Sequence, residues 1–80
     1  MSERAMWKGM VAEKELERER QRVIADGLII SLRMLINPHE EAESLNPELI
    51  RSQADQLADA IRRCRILTAE ILKLEKGLYG

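Results

Sequence analysis

The two prolines of this chain, Pro38 and Pro47, divide it into two long segments of helix-forming residues. Proline lacks the backbone N–H that a helix needs and disfavours helical geometry at the preceding residue, so a helix cannot run through Asn37–Pro38. Leu, Ile, Ala, Glu and Arg dominate both segments, and the chain contains no Phe. These residue types favour helix over strand. The sequence therefore predicts an all-α fold of two long antiparallel helices, a helical hairpin.

The first helix is predicted over about residues 2–36, where Gly9 and Gly27 are the only poor helix formers. A close helix crossing would explain Gly27. A predicted packing seam follows this helix in alternating steps of three and four residues: Trp7, Met10, Lys14, Glu17, Gln21, Ile24, Leu28, Ser31 and Leu35. The seam is flanked by Leu16, Val23, Ile30 and Met34. The middle of this seam is charged. Two alternatives remain open: a continuous packed helix, or a projecting charged arm with packing only from Val23 onward.

The linker is predicted over about residues 37–46, and the second helix over about residues 47–76. Asn37–Pro38 favours a short helical turn that reaches about Glu43, and Asn46–Pro47 is a stronger helix start. The second helix carries one heptad column of Ile50, Leu57, Cys64, Ile71 and Leu78, and another of Ala54, Ile61, Thr68 and Glu75. Its apolar face is broadened by Ala60, Leu67 and Leu74 on one side and by Ala58 and Leu72 on the other.

Self-association is predicted because apolar residues of the second helix lie opposite charged residues of the first. Straight helices would place Ile24 near Ala60 and Leu16 near Leu67. At the latter level the second helix is still apolar, whereas the first offers mainly charged residues, so we expect a second subunit to cover the excess. A single domain of 80 residues is also short for a stable monomeric core. We expect a homodimer of hairpins in a four-helix bundle, with self-association residues Ile50, Leu57, Ile61, Cys64, Leu67, Ile71, Leu74, Ile24, Leu28 and Leu35.

Trp7 is the only tryptophan, and together with Met10 it lies near the start of the first helix. A tryptophan in such a place needs a packing partner. The favoured interpretation is that Trp7 packs in the core against Leu74 and Leu78. The alternative is that Trp7 and Met10 form an exposed anchor for another protein.

Four arginines of the second helix, Arg51, Arg62, Arg63 and Arg65, are the candidate nucleic-acid contacts, because guanidinium groups suit phosphate. Nearby carboxylates would neutralise much of this charge, and the predicted helix has no aromatic residue for base stacking. A solvated face is therefore favoured over a nucleic-acid site. The formal net charge of −1 also gives no overall attraction to nucleic acid or an anionic membrane.

Catalysis and cofactor binding are not expected. His39 lies among three glutamates in the linker, but no second histidine or cysteine cluster completes a metal site. Cys64 is expected to be a small packed side chain rather than a nucleophile. The longest apolar stretch is interrupted by Asp26 and Arg33 and is too short to span a bilayer, and the first residues do not form a secretion signal. We therefore expect a cytoplasmic, non-enzymatic protein without cofactors or metals.

A resemblance accompanies these patterns. The run from Ile24 to Pro38, followed by an acidic linker and a helix rich in Leu and Ala, resembles small uncharacterised helical-hairpin proteins of transposable, Mu-like prophages. The resemblance implies a bacterial or phage setting and an accessory role, and it carries over no functional residue. The residues themselves favour an assembly or adaptor module that acts through helix–helix contacts. The alternative function is a small dimeric nucleic-acid-binding regulator that uses the arginine-rich face.

Overall fold

The computed structural model describes residues 3–79, with side-chain detail for residues 3–77. Helix α1 spans Glu3–Leu35, a 3₁₀ turn spans Ala42–Ser44, and helix α2 spans Pro47–Tyr79. The two helices pack against each other along a particle of 60 × 18 × 15 Å. The predicted all-α helical hairpin is thus confirmed, and α1 runs without interruption through its charged middle. The predicted positions Ser2 and Leu78 lie outside the described residues or side chains.

The linker is shaped by two asparagines that act differently. The Asn46 side chain accepts a hydrogen bond from the backbone N–H of Leu49 at 3.0 Å, which caps α2 as predicted. The Asn37 side chain instead accepts one from His39 N–H at 2.9 Å, two residues ahead, which forms a turn. A short helical turn does occur within the predicted linker, but as the 3₁₀ turn that begins at Ala42 and not directly after Pro38. The segment after Pro38 is acidic and exposed and has no large apolar side chain to pack a helical turn.

The register of the hairpin agrees with the predicted neighbours Ile24 and Ala60. Lys14 is ion-paired with Glu70, and the Trp7 ring lies against Gly77. In an antiparallel pair of helices, residues at the same level have residue numbers with a constant sum. This sum is the same for both observed pairs and for the predicted pair, so the helices are aligned as expected. Because these contacts involve the first half of α1, that half is packed and does not project as an arm.

The inward face of each helix consists of two columns of residues seven positions apart. In each helix one of these columns agrees with the prediction and the other differs from it. On α1 the inward second column is Val11, Arg18, Ala25 and Leu32, in place of Met10, Glu17, Ile24 and Ser31. Ala25 is 8% exposed, whereas Ile24 is 49% exposed. The observed column brings Leu32 inward and keeps Glu17 and Ser31 at the margin, where they remain partly hydrated. A small residue at Ala25 also permits close approach of the helices.

On α2 the second column is likewise displaced by one residue. It consists of Gln53, Ala60, Leu67 and Leu74, in place of Ala54, Ile61, Thr68 and Glu75. Ala60 and Leu67 are buried, whereas Ile61 is exposed. The observed column is more apolar at its distal end, because Leu74 takes the place that the predicted column gave to Glu75.

The end of α2 extends beyond the predicted residue 76. Gly77 stays helical and does not adopt a positive φ, so it does not terminate the helix. A Cβ atom at this position would clash with the Trp7 ring. Gly77 therefore provides room for the tryptophan, and Tyr79 belongs to the helix.

Candidate self-association surface

Most of the predicted self-association residues lie in the contact between α1 and α2 of the same chain. Leu67 and Ile71 are buried there. Six more are half-buried in that contact: Leu28, Leu35, Ile50, Leu57, Cys64 and Leu74. Ile24 and Ile61 are exposed. These positions show that the predicted set packs mainly within the hairpin, and that Ile24 and Ile61 are its most exposed members.

The middle of the hairpin is held by polar contacts between the helices. Lys14 forms its ion pair with Glu70, and the Arg18 guanidinium donates a hydrogen bond to the Thr68 hydroxyl at 3.2 Å. The Cys64 thiol lies 3.9 Å from the backbone oxygen of Arg18. The Lys14 ammonium, through its hydrogen bond and its charge, lowers the pKa of the Glu70 carboxyl; the charge of Arg63 acts in the same direction, and partial desolvation opposes both.

These contacts correct the expectation of an uncovered apolar excess at Leu67 itself, although Ile66 and Leu72 in the same stretch of α2 are exposed. Lys14 reaches across to Glu70, and Arg18 reaches across to Thr68. Around the surface of α2, these two partners flank Leu67. The methylene chains of Lys14 and Arg18 cover apolar surface while their charged ends bind polar partners. Leu67 is consequently only 3% exposed even though it faces a charged stretch of α1.

The larger part of the uncovered apolar surface lies on α1. Among the described side chains, nine exposed large apolar residues belong to α1 or directly follow it, and four lie on α2 or near its start. Four of the nine recur on the side of α1 that faces away from α2, and we call Leu16, Val23, Ile30 and Met34 the outer stripe. Each is more than half exposed, and Met34 is 77% exposed. Solvent exposure of a row of large apolar groups is typical of an interaction surface.

Gly27 lies within the outer stripe, between Val23 and Ile30. A Cβ atom added at Gly27 would have no neighbour within 4 Å, so the hairpin does not require a glycine there. The close helix crossing predicted at Gly27 is therefore not a crossing of α1 with α2. Beside it, Leu16, Val23 and Ile24 line a shallow apolar depression together with Glu19 and Arg20.

A second apolar depression lies at the linker end, where Ile29 and Ile36 stand beside Leu57. The sequence pattern assigned neither isoleucine to a site. Their signal was present in the sequence: both lie seven residues apart on one flank of α1.

The opposite face of the hairpin, on α2, is charged. Asp55, Asp59 and Arg62 are all exposed, and the Arg62 guanidinium donates to Asp59 at 3.0 Å. The predicted nucleic-acid residues Arg51, Arg62, Arg63 and Arg65 are exposed as well. Their charge is partly neutralised, since Arg62 is paired and Arg63 lies close enough to Glu70 to lower its pKa.

The candidate protein anchor is divided by the structure. Trp7 is half-buried against Gly77, in keeping with the favoured packing within the hairpin, whereas Met10 is exposed on the flank of α1. Contact of Trp7 with Leu78 lies outside the described side chains. The Trp7 ring lines an open depression with Glu3 and Arg4.

The linker histidine and the cysteine lie in different parts of the hairpin. His39 is exposed in the linker, and Cys64 is half-buried in the helix contact. No group of three or more histidine, cysteine or acidic side chains within residues 3–77 is placed to hold a metal ion.

Over the described part of the chain, neither helix has a segment sufficiently long and apolar to cross a lipid bilayer. Comparisons with protein-family models, curated proteins and solved structures gave no significant match.

Proposed function

We propose that this chain is a non-enzymatic assembly module that self-associates through helix–helix contacts. The observation that carries the proposal is the outer stripe of α1, a row of large apolar side chains that the hairpin itself leaves uncovered. Burial of apolar surface is the dominant driving force for protein association. A row of this length on one helix suits another helix as its partner.

The size of the exposed surface supports the same proposal. The chain has an accessible surface of 6346 Å². A compact monomer of this mass would expose about 4,900 Å², so the surplus is roughly 1,400 Å². The radius of gyration is 18.0 Å, against about 12 Å for a compact chain of this length. A two-helix layer is thus too thin to bury the apolar content of both helices, and association would remove the surplus from water.

The alternative of a nucleic-acid-binding regulator has weaker support. Arg62 is engaged by Asp59, and Asp55 lies exposed on the same helix. Carboxylates next to the guanidinium groups would repel phosphate and reduce the counterion release that drives such binding. A salt-dependent shift of labelled DNA or RNA at low ionic strength would favour this alternative.

The test is the solution mass of the full chain, measured by multi-angle light scattering across a wide concentration range. The proposal predicts a mass of twice the monomer or a larger closed oligomer, with dissociation on dilution. A monomeric mass at every concentration would contradict it.

A further inference from the structure

We infer that the outer stripe of α1 binds a second copy of this chain, in an antiparallel crossing of two α1 helices. Along the helix axis, the centre of the crossing is at the level between Leu28 and Ile29. This inference rests on the proposed assembly function and deepens it by naming the partner and the contact. The two charged α2 helices would then lie on the outside of a four-helix arrangement, and the two outer stripes would be buried at its centre.

The first step of the argument is that the area fits. A stable interface of standard size buries about 800 Å² on each partner. The surplus surface estimated for one hairpin is roughly 1,400 Å². One contact of standard size therefore fits within the surplus of each copy. A two-fold arrangement also satisfies both copies with the same patch, in which Val23, Ile30 and Met34 face α1 of the second copy and Leu16 lies at the level of its linker.

The second step is the register, which is set by Gly27. In an antiparallel crossing centred between Leu28 and Ile29, residues at equal distances from the centre face each other. Val23 then meets Met34 of the second copy, and Ile30 meets Gly27 of the second copy. Each large Ile30 side chain thereby fills the open space over a glycine, which gives interdigitated packing. A parallel crossing would place the two Gly27 positions together and leave a gap between the helices.

The third step is charge complementarity at the ends of the crossing. Arg20 continues the outer stripe toward the start of α1, and in this register it lies at the level of residue 37 in the second copy. The acidic linker residues Glu40, Glu41 and Glu43 begin directly beyond that level and are exposed. Among the described residues of its own chain, Arg20 has only a long ion pair with Glu17, at 3.6 Å. The antiparallel crossing thus brings Arg20 of each copy toward the acidic linker of the other, with the exposed Glu19 beside it, whereas a parallel crossing would bring the two acidic linkers together.

A pair of glycine variants tests the contact. Gly9 and Gly27 are both in α1, and a Cβ atom at either position would have no neighbour within 4 Å among the described residues, so both leucine variants should fold. Gly27→Leu is expected to raise the dimer dissociation constant at least tenfold in sedimentation experiments, because the new side chain occupies the space of Ile30 from the second copy. Gly9→Leu, far from the crossing, should change the constant less than twofold. Equal effects of the two variants would overturn the inference.

Disulfide trapping tests the orientation in a Cys64→Ala background. Val23→Cys and Met34→Cys chains are mixed and oxidised with copper phenanthroline, which removes two electrons and two protons for each disulfide formed. The antiparallel crossing predicts that the mixed disulfide exceeds both homodisulfides. A predominance of the Val23→Cys homodisulfide would overturn it.

The outcomes separate this inference from the proposed function. A wild-type dimer that resists Gly27→Leu and shows no mixed disulfide would refute the named contact while the assembly function stands. A wild-type chain that is monomeric at every concentration would refute both.

Discussion

Truncation of Leu67 compared with its neighbour Ile66 tests the rotation of α2 within the hairpin. Leu67 is 3% exposed and Ile66 is 50% exposed, although the two are adjacent and similar in size. Leu67→Ala removes three buried carbon groups at about 0.8 kcal/mol each, which gives roughly 2.4 kcal/mol before any cavity cost. Measured losses for such substitutions are about 2–5 kcal/mol, and a thin two-helix layer that can relax favours the lower part of this range.

Ile66→Ala is the matched control. An exposed substitution of this kind is expected to change the free energy of unfolding by less than about 0.5 kcal/mol, and Ala is also the better helix former. The measurement is urea unfolding followed by far-UV circular dichroism, at one fixed protein concentration because association contributes to stability. A loss for Ile66→Ala as large as that for Leu67→Ala would refute the assigned rotation.

Three further substitutions test local features of the hairpin. Gly77→Ala should lower the unfolding midpoint in a thermal scan, although Ala is a better helix former, because its Cβ would collide with the Trp7 ring; an unchanged or higher midpoint would contradict this contact. Glu70→Gln should cost stability at neutral pH. Since Lys14 lowers the pKa of Glu70 below its ordinary value of 4.5, the contribution is complete above that value and is lost as the pH falls through the folded pKa. The difference between wild type and Glu70→Gln in urea unfolding should therefore shrink on acidification, and a constant difference would argue against the ion pair. Asn46→Ala should cost about 1 kcal/mol through loss of the α2 cap, and an unfolding free energy equal to that of wild type would show that the cap is dispensable.

The sequence was sufficient to predict the parts of the fold that depend on chain breaks and helix length. Pro38 and Pro47 set the limits of the linker, Asn46 acts as the cap, and a constant rise per residue placed Ile24 opposite Ala60. These properties follow from local chemistry. They do not depend on which side of each helix is turned inward.

Rotation was harder to predict because hydrophobicity alone favours Ile24 over Ala25 as an inward residue. Packing reverses this preference, since a small side chain lets two helices approach closely and a large one on the flank can stay exposed. The long stems of Lys14 and Arg18 add to the difficulty. They were counted as charged residues, yet they cover the apolar face of α2 around Leu67.

The candidate surface moved from α2 to α1 for the same reason. Once Ala25 and Leu32 face inward, Val23 and Ile30 must face outward, and α1 carries the uncovered row. A count of apolar residues on each helix could not reveal this. It required knowledge of which residues the hairpin itself already buries.

The most direct test of the account is the mass of two lysine variants, Ile30→Lys and Ile66→Lys, measured by sedimentation equilibrium at the same concentration. Both isoleucines are exposed, one on the outer stripe of α1 and one on α2. The account predicts a helical monomer for Ile30→Lys, because a charge would be buried in the crossing, and an unchanged dimer for Ile66→Lys. A dimeric Ile30→Lys, or a monomeric Ile66→Lys, would contradict the claim that α1 carries the self-association surface.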